Sequence, residues 1–240
     1  MQEITNLAGG AIIGFGLAWM LERWEMSFFR RLSIAEPEEL LQENAKIFQK
    51  LFSHWGIYIG MTITAAALSE WRQWSPEFLN DLILITALVG IAWIDRKTLL
   101  IEGRLIALTM GMRLLWLSFF ATQEMLNFLA GLLIGAGILY FIGFLYETFR
   151  HRQGLGEGDA AVLGLIGLWV GWKGLGTVLL IAALSGIIIG GISLLRQRKI
   201  NQNIPDLLQT QIPFAPFLCL GGLIVYFLQE TGFIMKGFEF

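Results

Sequence analysis

Hydrophobic residues run along this chain in long blocks separated by short charged connections. An α-helix needs about 20 apolar residues to cross a ~30 Å hydrocarbon core. Windows free or nearly free of charge lie at 4–21, 51–69, 78–94, 105–123, 125–146, 160–172, 174–195 and 207–229. The third holds only Asp81 and the fourth only Arg113, and a pairing between these two is expected. The pattern predicts an all-α, polytopic integral membrane protein with about eight transmembrane helices. The first window has Gln2 and Glu3 before it rather than a basic flank, and no small-residue cleavage site after it, so it is expected to be a retained span. Glycine pairs four residues apart occur at Gly10/Gly14, Gly131/Gly135, Gly167/Gly171 and Gly186/Gly190. Such pairs let helix backbones approach closely in lipid, and helix packing is their expected role.

The basic residues sort the connections between windows. Arg23, Arg30, Arg31, Lys46 and Lys50 fall in the first, and Arg96, Lys97 and Arg104 in the third. Arg150 and Arg152 fall in the fifth, and Arg196, Arg198 and Lys199 in the seventh. Thirteen of the 17 Lys and Arg thus occupy odd-numbered connections. Lys and Arg concentrate in cytoplasmic loops, so these connections are expected inside and both termini outside. The first connection, residues 22–54, is the long one and is expected to form a cytoplasmic insertion. Within it Leu41, Ala45, Phe48 and Phe52 share one helical face, Ser33 and Glu36 have capping-box spacing, and Pro37 suits a first turn. A short amphipathic helix lying on the membrane surface is predicted there. Its Glu36, Glu38, Glu39 and Glu43 read as a solvated face, or as a surface that meets a basic substrate segment.

Composition narrows the chemistry. Hydrophobic residues make up 55% and charged residues 15%, against ~25% charged in an ordinary soluble domain. A net charge of −2 removes the electrostatic argument for a nucleic-acid partner. The single cysteine, Cys219, excludes an intrachain disulfide or a cysteine-cluster zinc site, and within an apolar window it reads as a packed thiol. His54 and His151 stand in different connections, and neither G-x-S-x-G nor H-E-x-x-H occurs. No metal and no cofactor is expected.

Two aspartates remain, at span ends assigned to the same membrane face. Asp95 closes the run 82–94 and Asp159 opens the run 160–172. By position alone each suits a hydrated carboxylate in the headgroup zone, and Asp159 also suits a helix N-cap. The residues before Asp159 read Gly154-Leu155-Gly156-Glu157-Gly158, and glycines permit positive φ and close approach of another chain. Two carboxylates a few Å apart cannot easily both ionise. One keeps its proton, and the pair can activate water and protonate a leaving amine.

Gly156-Glu157-Gly158-Asp159 has the G-x-G-D form of membrane aspartyl proteases. The longer stretch 154–172, GLGEGDAAVLGLIGLWVGW, resembles the corresponding segment of type IV prepilin peptidases. Residues 212–222, IPFAPFLCLGG, resemble that family's I-P-F-G-P-F-L-x-x-G segment near its last span. Asp95, in WIDRKTLLI, falls where the family has its first catalytic aspartate, and residues 9–23 resemble its first span. The resemblance implies a single membrane-embedded peptidase domain over 1–240 in the bacterial plasma membrane. It implies that Asp95 and Asp159 are catalytic and cut the basic leader from pilin-like precursors at the cytoplasmic face. Gly156 and Gly158 would shape the loop that admits the scissile backbone. Pro213, Phe214 and Pro216 would wall the substrate site, the prolines chiefly by breaking the start of the last span. The implied partners are the precursor and the lipid bilayer.

The chain departs from the family at three places. Ala161 stands where the family usually has Lys, and Glu102-Gly103 replaces a Pro-Asp. The first connection has no cysteine, where many members carry paired Cys-x-x-Cys motifs that bind zinc. Ala161 and Glu102 keep a rival reading open, a degenerate peptidase that only binds pilin-like subunits. A small transporter is a second rival, although the interrupted helices repeated in matching positions that it would show are not evident.

Overall fold

The computed structural model describes residues 2–32, 54–150, 156–190 and 213–232. The regular elements among them are helical: α1 (Gln2–Leu32), α2 (His54–Arg72), α3 (Pro76–Thr98), α4 (Gly103–Phe120), α5 (Met125–Arg150), α6 (Glu157–Ser185) and α7 (Ala215–Glu230). A 3-10 turn, Thr122–Glu124, precedes α5, and a π-helical stretch, Gly186–Gly190, extends α6. Of the insertion expected at 22–54, residues 22–32 continue α1 and His54 begins α2. The surface helix expected near residues 36–52, and His151, lie outside the described residues.

Five described helices are long and apolar enough to cross a membrane: Glu3–Arg31, Pro76–Thr98, Gly103–Phe120, Thr122–Phe149 and Gly158–Ile189. The hydropathy pattern divides the chain more finely than this. The window 160–172 and the described start of 174–195 share Gly158–Ile189, α2 is not among the five, and α7 is a shorter apolar helix. On α5, Leu126, Leu133, Phe141, Phe144 and Phe149 are exposed, an outward surface that a bilayer accommodates and water does not.

The chain divides into two compact units, Met1–Leu105 and Ile106–Phe240. In the first, α1 and α2 run antiparallel at close range. A methyl group on Gly10 would stand 2.6 Å from the Ala65 carbonyl oxygen, and one on Gly14 would stand 2.4 Å from that of Met61. The first glycine pair therefore packs helix on helix, as its spacing predicts. α3 runs parallel to α1, with Gly90 facing Leu21 and with Trp93 and Lys97 reaching Glu25. The α2–α3 turn is tied to the start of α1. Ser69 Oγ donates to the Asn6 carbonyl at 2.9 Å, and Trp74 Nε1 donates to Asn6 Oδ1 at 2.9 Å. At the same end Arg72 Nε donates to Asp81 Oδ2 at 2.8 Å, and Asp81 is fully buried.

In the second unit α5 and α6 meet backbone to backbone. A methyl group on Gly131 would stand 2.2 Å from the Gly167 carbonyl oxygen, and one on Gly167 would stand 2.1 Å from that of Gly131. Inside α6 the helix breaks at Gly171, whose φ of 72° and ψ of 171° suit only glycine. The chain turns back there. Gly222 of α7 faces Ile166, while its neighbour Gly221 faces the Val178 carbonyl and Ala182. On one straight helix Ile166 and Val178 would lie about 18 Å apart. Residues 157–170 and 172–185 are thus the two arms of a helical hairpin, with α7 packed along both. Gln229 Nε2 donates to the Val170 carbonyl at the break, at 3.2 Å, and the Asn127 side chain covers Gly171. Arg113, buried on α4, donates Nε to the Leu168 carbonyl at 3.2 Å. Its guanidinium lies 4.8 Å from the ring centroids of Trp116 and Phe128 and 5.0 Å from that of Trp169, a cation–π arrangement that suits a desolvated arginine. Asp81 and Arg113 each have these partners within their own unit.

Candidate active site

Asp95 lies one turn from the C-terminus of α3 and is 4% exposed. Its carbonyl accepts the Leu99 N–H at 2.8 Å. Leu99 caps the helix in the left-handed conformation, φ 56° and ψ 21°. For a residue other than glycine such a conformation costs about 1–3 kcal/mol and persists where its surroundings enforce it. The Leu100 N–H then bonds to Thr98 Oγ1 at 3.2 Å.

Three glutamates occupy the same end of the first unit, and hydropathy singles out none of them as buried. Glu25, 5% exposed, accepts from Trp93 Nε1 at 2.7 Å and from Lys97 Nζ. Glu102, also 5% exposed, accepts from Trp24 Nε1 and pairs with Arg31 Nη1 at 3.4 Å. Glu22 accepts from the Tyr58 hydroxyl. Buried carboxylates are tolerated when both paired and hydrogen-bonded, and Glu25 and Glu102 are each held in both ways. The one available signal is spacing: Trp93 and Lys97 stand at i and i+4, one helix face, with a carboxylate expected opposite. Helix residues advance about 100° each, so Asp95, two positions from both, lies on the other side of α3.

In the second unit Gly156 is the N-cap of α6, with extended φ −69° and ψ 133°. Asp159 occupies the third helical position and donates its N–H to the Gly156 carbonyl at 3.0 Å. The expected N-cap role therefore passes to Gly156, because that glycine's extended backbone starts the helix three residues earlier. Among the described glycines positive φ occurs at Gly171 and Gly232, not at Gly156 or Gly158. A Cβ on Gly156 would stand 3.5 Å from Asp159 Oδ2, an ordinary van der Waals contact, so the residue borders the carboxylate. A carboxylate in the first turn also meets the positive end of the helix dipole. Gly158 and Asp159 are half-buried.

Pro213 is buried just before α7, Phe214 is its N-cap, and Pro216 lies in its first turn. The Phe214 carbonyl accepts from the N–H groups of Phe217 and Leu218 at 3.0 and 3.2 Å. The prolines thus frame a helix start, as expected. α7 runs parallel to 157–170, with Gln229 at Val170 and Gly222 at Ile166. Seven residues back from Ile166 is Asp159, and seven back from Gly222 is Ala215, about 10 Å of rise in each case. The second unit therefore brings Gly156, Gly158 and Asp159 to the same end as Pro213, Phe214 and Pro216. Asp95 belongs to the first unit. Among the described residues no group of three or more His, Cys, Asp or Glu is arranged to hold a metal ion, and Cys219 is buried and outside any disulfide.

Residues 82–191, which include both aspartates, match the model of the type IV leader peptidase family. A prepilin leader peptidase/N-methyltransferase of Legionella pneumophila is 30% identical over 177 residues, covering 71% of this chain and 58% of that protein. One from Xanthomonas campestris pv. campestris is 28% identical over 173 residues, covering 70% of this chain and 56% of that protein. One from Escherichia coli strain K12 is 28% identical over 165 residues, covering 68% of this chain and 70% of that protein. The chain spans a little over half the length of the first two of these relatives. No solved structure matches it.

Proposed function

We propose, on the premise that the chain belongs to the type IV leader peptidase family through residues 82–191, that it is a membrane aspartyl endopeptidase. Its substrate class is pilin-like precursors, from which it removes the basic leader at the cytoplasmic membrane face. One observation carries the reading: the family segment contains two aspartates at helix ends, Asp95 in the last turn of α3 and Asp159 in the first turn of α6.

The chemistry follows from two carboxyl groups sharing one proton. The ionised member takes a proton from water as the water attacks the scissile carbonyl. The protonated member donates its proton to the developing oxyanion, the other member passes the proton taken from water to the leaving amine, and the tetrahedral intermediate collapses to two peptides as its hydroxyl returns a proton to the dyad. Gly156, which borders the Asp159 carboxylate, and Gly158 admit the substrate backbone, and Pro213, Phe214 and Pro216 wall the same end.

Several observations support a single peptidase domain of eight spans in the plasma membrane with this end inside. The hairpin at Gly171 supports reading 160–172 and 174–195 as separate spans. Trp55 and Trp71 are exposed at either end of α2, sixteen residues or about 24 Å apart, the spacing of an aromatic girdle at each interface. The basic residues of the odd connections support a cytoplasmic face shared by Asp95 and Asp159. The relatives are named for methyl transfer as well as cleavage. With one cysteine, in α7, this chain lacks the donors for a cysteine-bound zinc element, and we assign it cleavage alone.

The test is incubation of the detergent-purified protein with a pilin-like precursor and mass spectrometry of the products. Loss of the leader as a discrete peptide is the expected result. A precursor that stays intact returns the chain to the non-catalytic, subunit-binding reading.

A further inference from the structure

We infer that Glu102 is a positioning residue for Asp95: its buried carboxylate clasps the segment that follows Asp95's helix onto α1. The inference rests on the peptidase reading above. Asp95 sits in the last turn of α3, and the Leu99 N–H closes that turn on Asp95's own carbonyl at 2.8 Å. Leu99 does so in the left-handed conformation, which a leucine keeps only where its surroundings over-determine it.

Glu102, three residues on, supplies the fixing contact. Its carboxylate accepts the Trp24 indole N–H and pairs with Arg31, both on α1. Arg31 is 39% exposed and Glu102 only 5%. An exposed ion pair by itself contributes little. The part-buried indole bond, whose loss leaves the buried Glu102 carboxylate short of a partner, is what ties the segment down. Glu25 makes the matching tie before and after Asp95 on α3, through Trp93 and Lys97. The turn bearing Asp95 is thus fixed to α1 by a carboxylate on each side, while Asp95 itself lies on the other side of α3. Glu102 touches no reacting atom in this scheme. Its loss acts through the backbone: the Leu99 cap relaxes, the Asp95 carbonyl loses its partner, and residues 95–98 fray.

Glutamine at 102 keeps an acceptor for Trp24 and gives up the charge, whereas alanine gives up both. The test compares wild type, Glu102→Ala, Glu102→Gln and Trp24→Phe in detergent. It reads precursor cleavage and, on the same preparations, backbone hydrogen exchange of residues 95–102. Glu102→Ala should lower kcat about ten-fold or more with KM held within about two-fold, and should speed exchange in 95–102 by a similar factor. Glu102→Gln should recover kcat to within about three-fold of wild type, and Trp24→Phe should fall between. Wild-type kcat and exchange in Glu102→Ala would overturn the inference and leave the peptidase reading standing. Equal losses in the Gln and Ala variants would also overturn it, because charge rather than the tether would then be the agent. If the Ala variant does not fold, unchanged exchange and kcat in Trp24→Phe overturn it instead. A wild-type protein that leaves the precursor intact removes the peptidase reading, and exchange in 95–102 then decides the clasp by itself.

Discussion

Ile166 and Val178 border the adjacent glycines Gly222 and Gly221 of α7, although twelve residues separate them along the chain. That relationship exists because Gly171 breaks α6 and the two arms fold together. At Gly171 a Cβ would meet Asn127 Nδ2 at 2.8 Å, and the φ of 72° would be strained as well. At Gly167 it would stand 2.1 Å from a backbone oxygen that cannot swing away. Gly171→Ala and Gly167→Ala should each destabilise the protein by about 1–3 kcal/mol. Gly176→Ala, where nothing lies within 4 Å, should change stability by less than about 0.5 kcal/mol. Thermal unfolding in detergent separates the three, and equal melting temperatures would contradict the hairpin packing.

The ion pair of Arg72 with the fully buried Asp81 predicts non-additivity. Arg72→Gln and Asp81→Asn should each lower the melting temperature, and the double variant should lower it by less than the sum. Removing one member of a buried pair leaves the other charge poorly compensated, which the second change relieves. Strictly additive shifts would show that the pair carries no coupling.

Sidedness is testable by single-cysteine labelling in a Cys219→Ser background. Cysteines replacing Lys46 and His151 should be protected from an impermeant reagent in intact cells, and those replacing Arg72 and Lys173 should react. Efficient labelling at position 46 would invert the assignment.

Much of this architecture is legible in the sequence because lipid imposes few rules. Long apolar windows mean helices, and the spacings Gly10/Gly14, Gly131/Gly135 and Gly167/Gly171 mark the faces on which helices touch. The end of the first helix is less legible. Charge appears at Glu22, yet α1 continues to Leu32, because Glu, Arg and Met suit a helix as well as a loop and Arg30 and Arg31 complement its C-terminal dipole. The start of α6 is displaced from Asp159 to Gly156 because an extended glycine caps as readily as a carboxylate. Glu25 and Glu102 are the real omission. Both look like ordinary connection charges, and what buries them are tryptophans 68 and 78 residues distant, Trp93 and Trp24. Beyond the i, i+4 spacing of Trp93 and Lys97, no local pattern carries that information.

If the chain cleaves without methylating, the mature product made with S-adenosylmethionine present should have the same mass as that made without it. A product heavier by one methyl group, formed by the purified protein alone, would contradict that assignment.

The central claim is that Asp95 and Asp159 act together. Asp95→Asn and Asp159→Asn should each lower kcat for precursor cleavage by several orders of magnitude, and the double variant should be hardly worse than either, because groups acting as a unit are non-additive. Glu102→Gln and Glu157→Gln, which touch no proton-transfer group in this scheme, should keep measurable activity. The most direct measurement is therefore the cleavage rate of a pilin-like precursor by folded Asp95→Asn protein beside wild type. The account predicts an intact precursor with the variant and a released leader with wild type. A well-folded Asp95→Asn protein that cuts at close to the wild-type rate would contradict it.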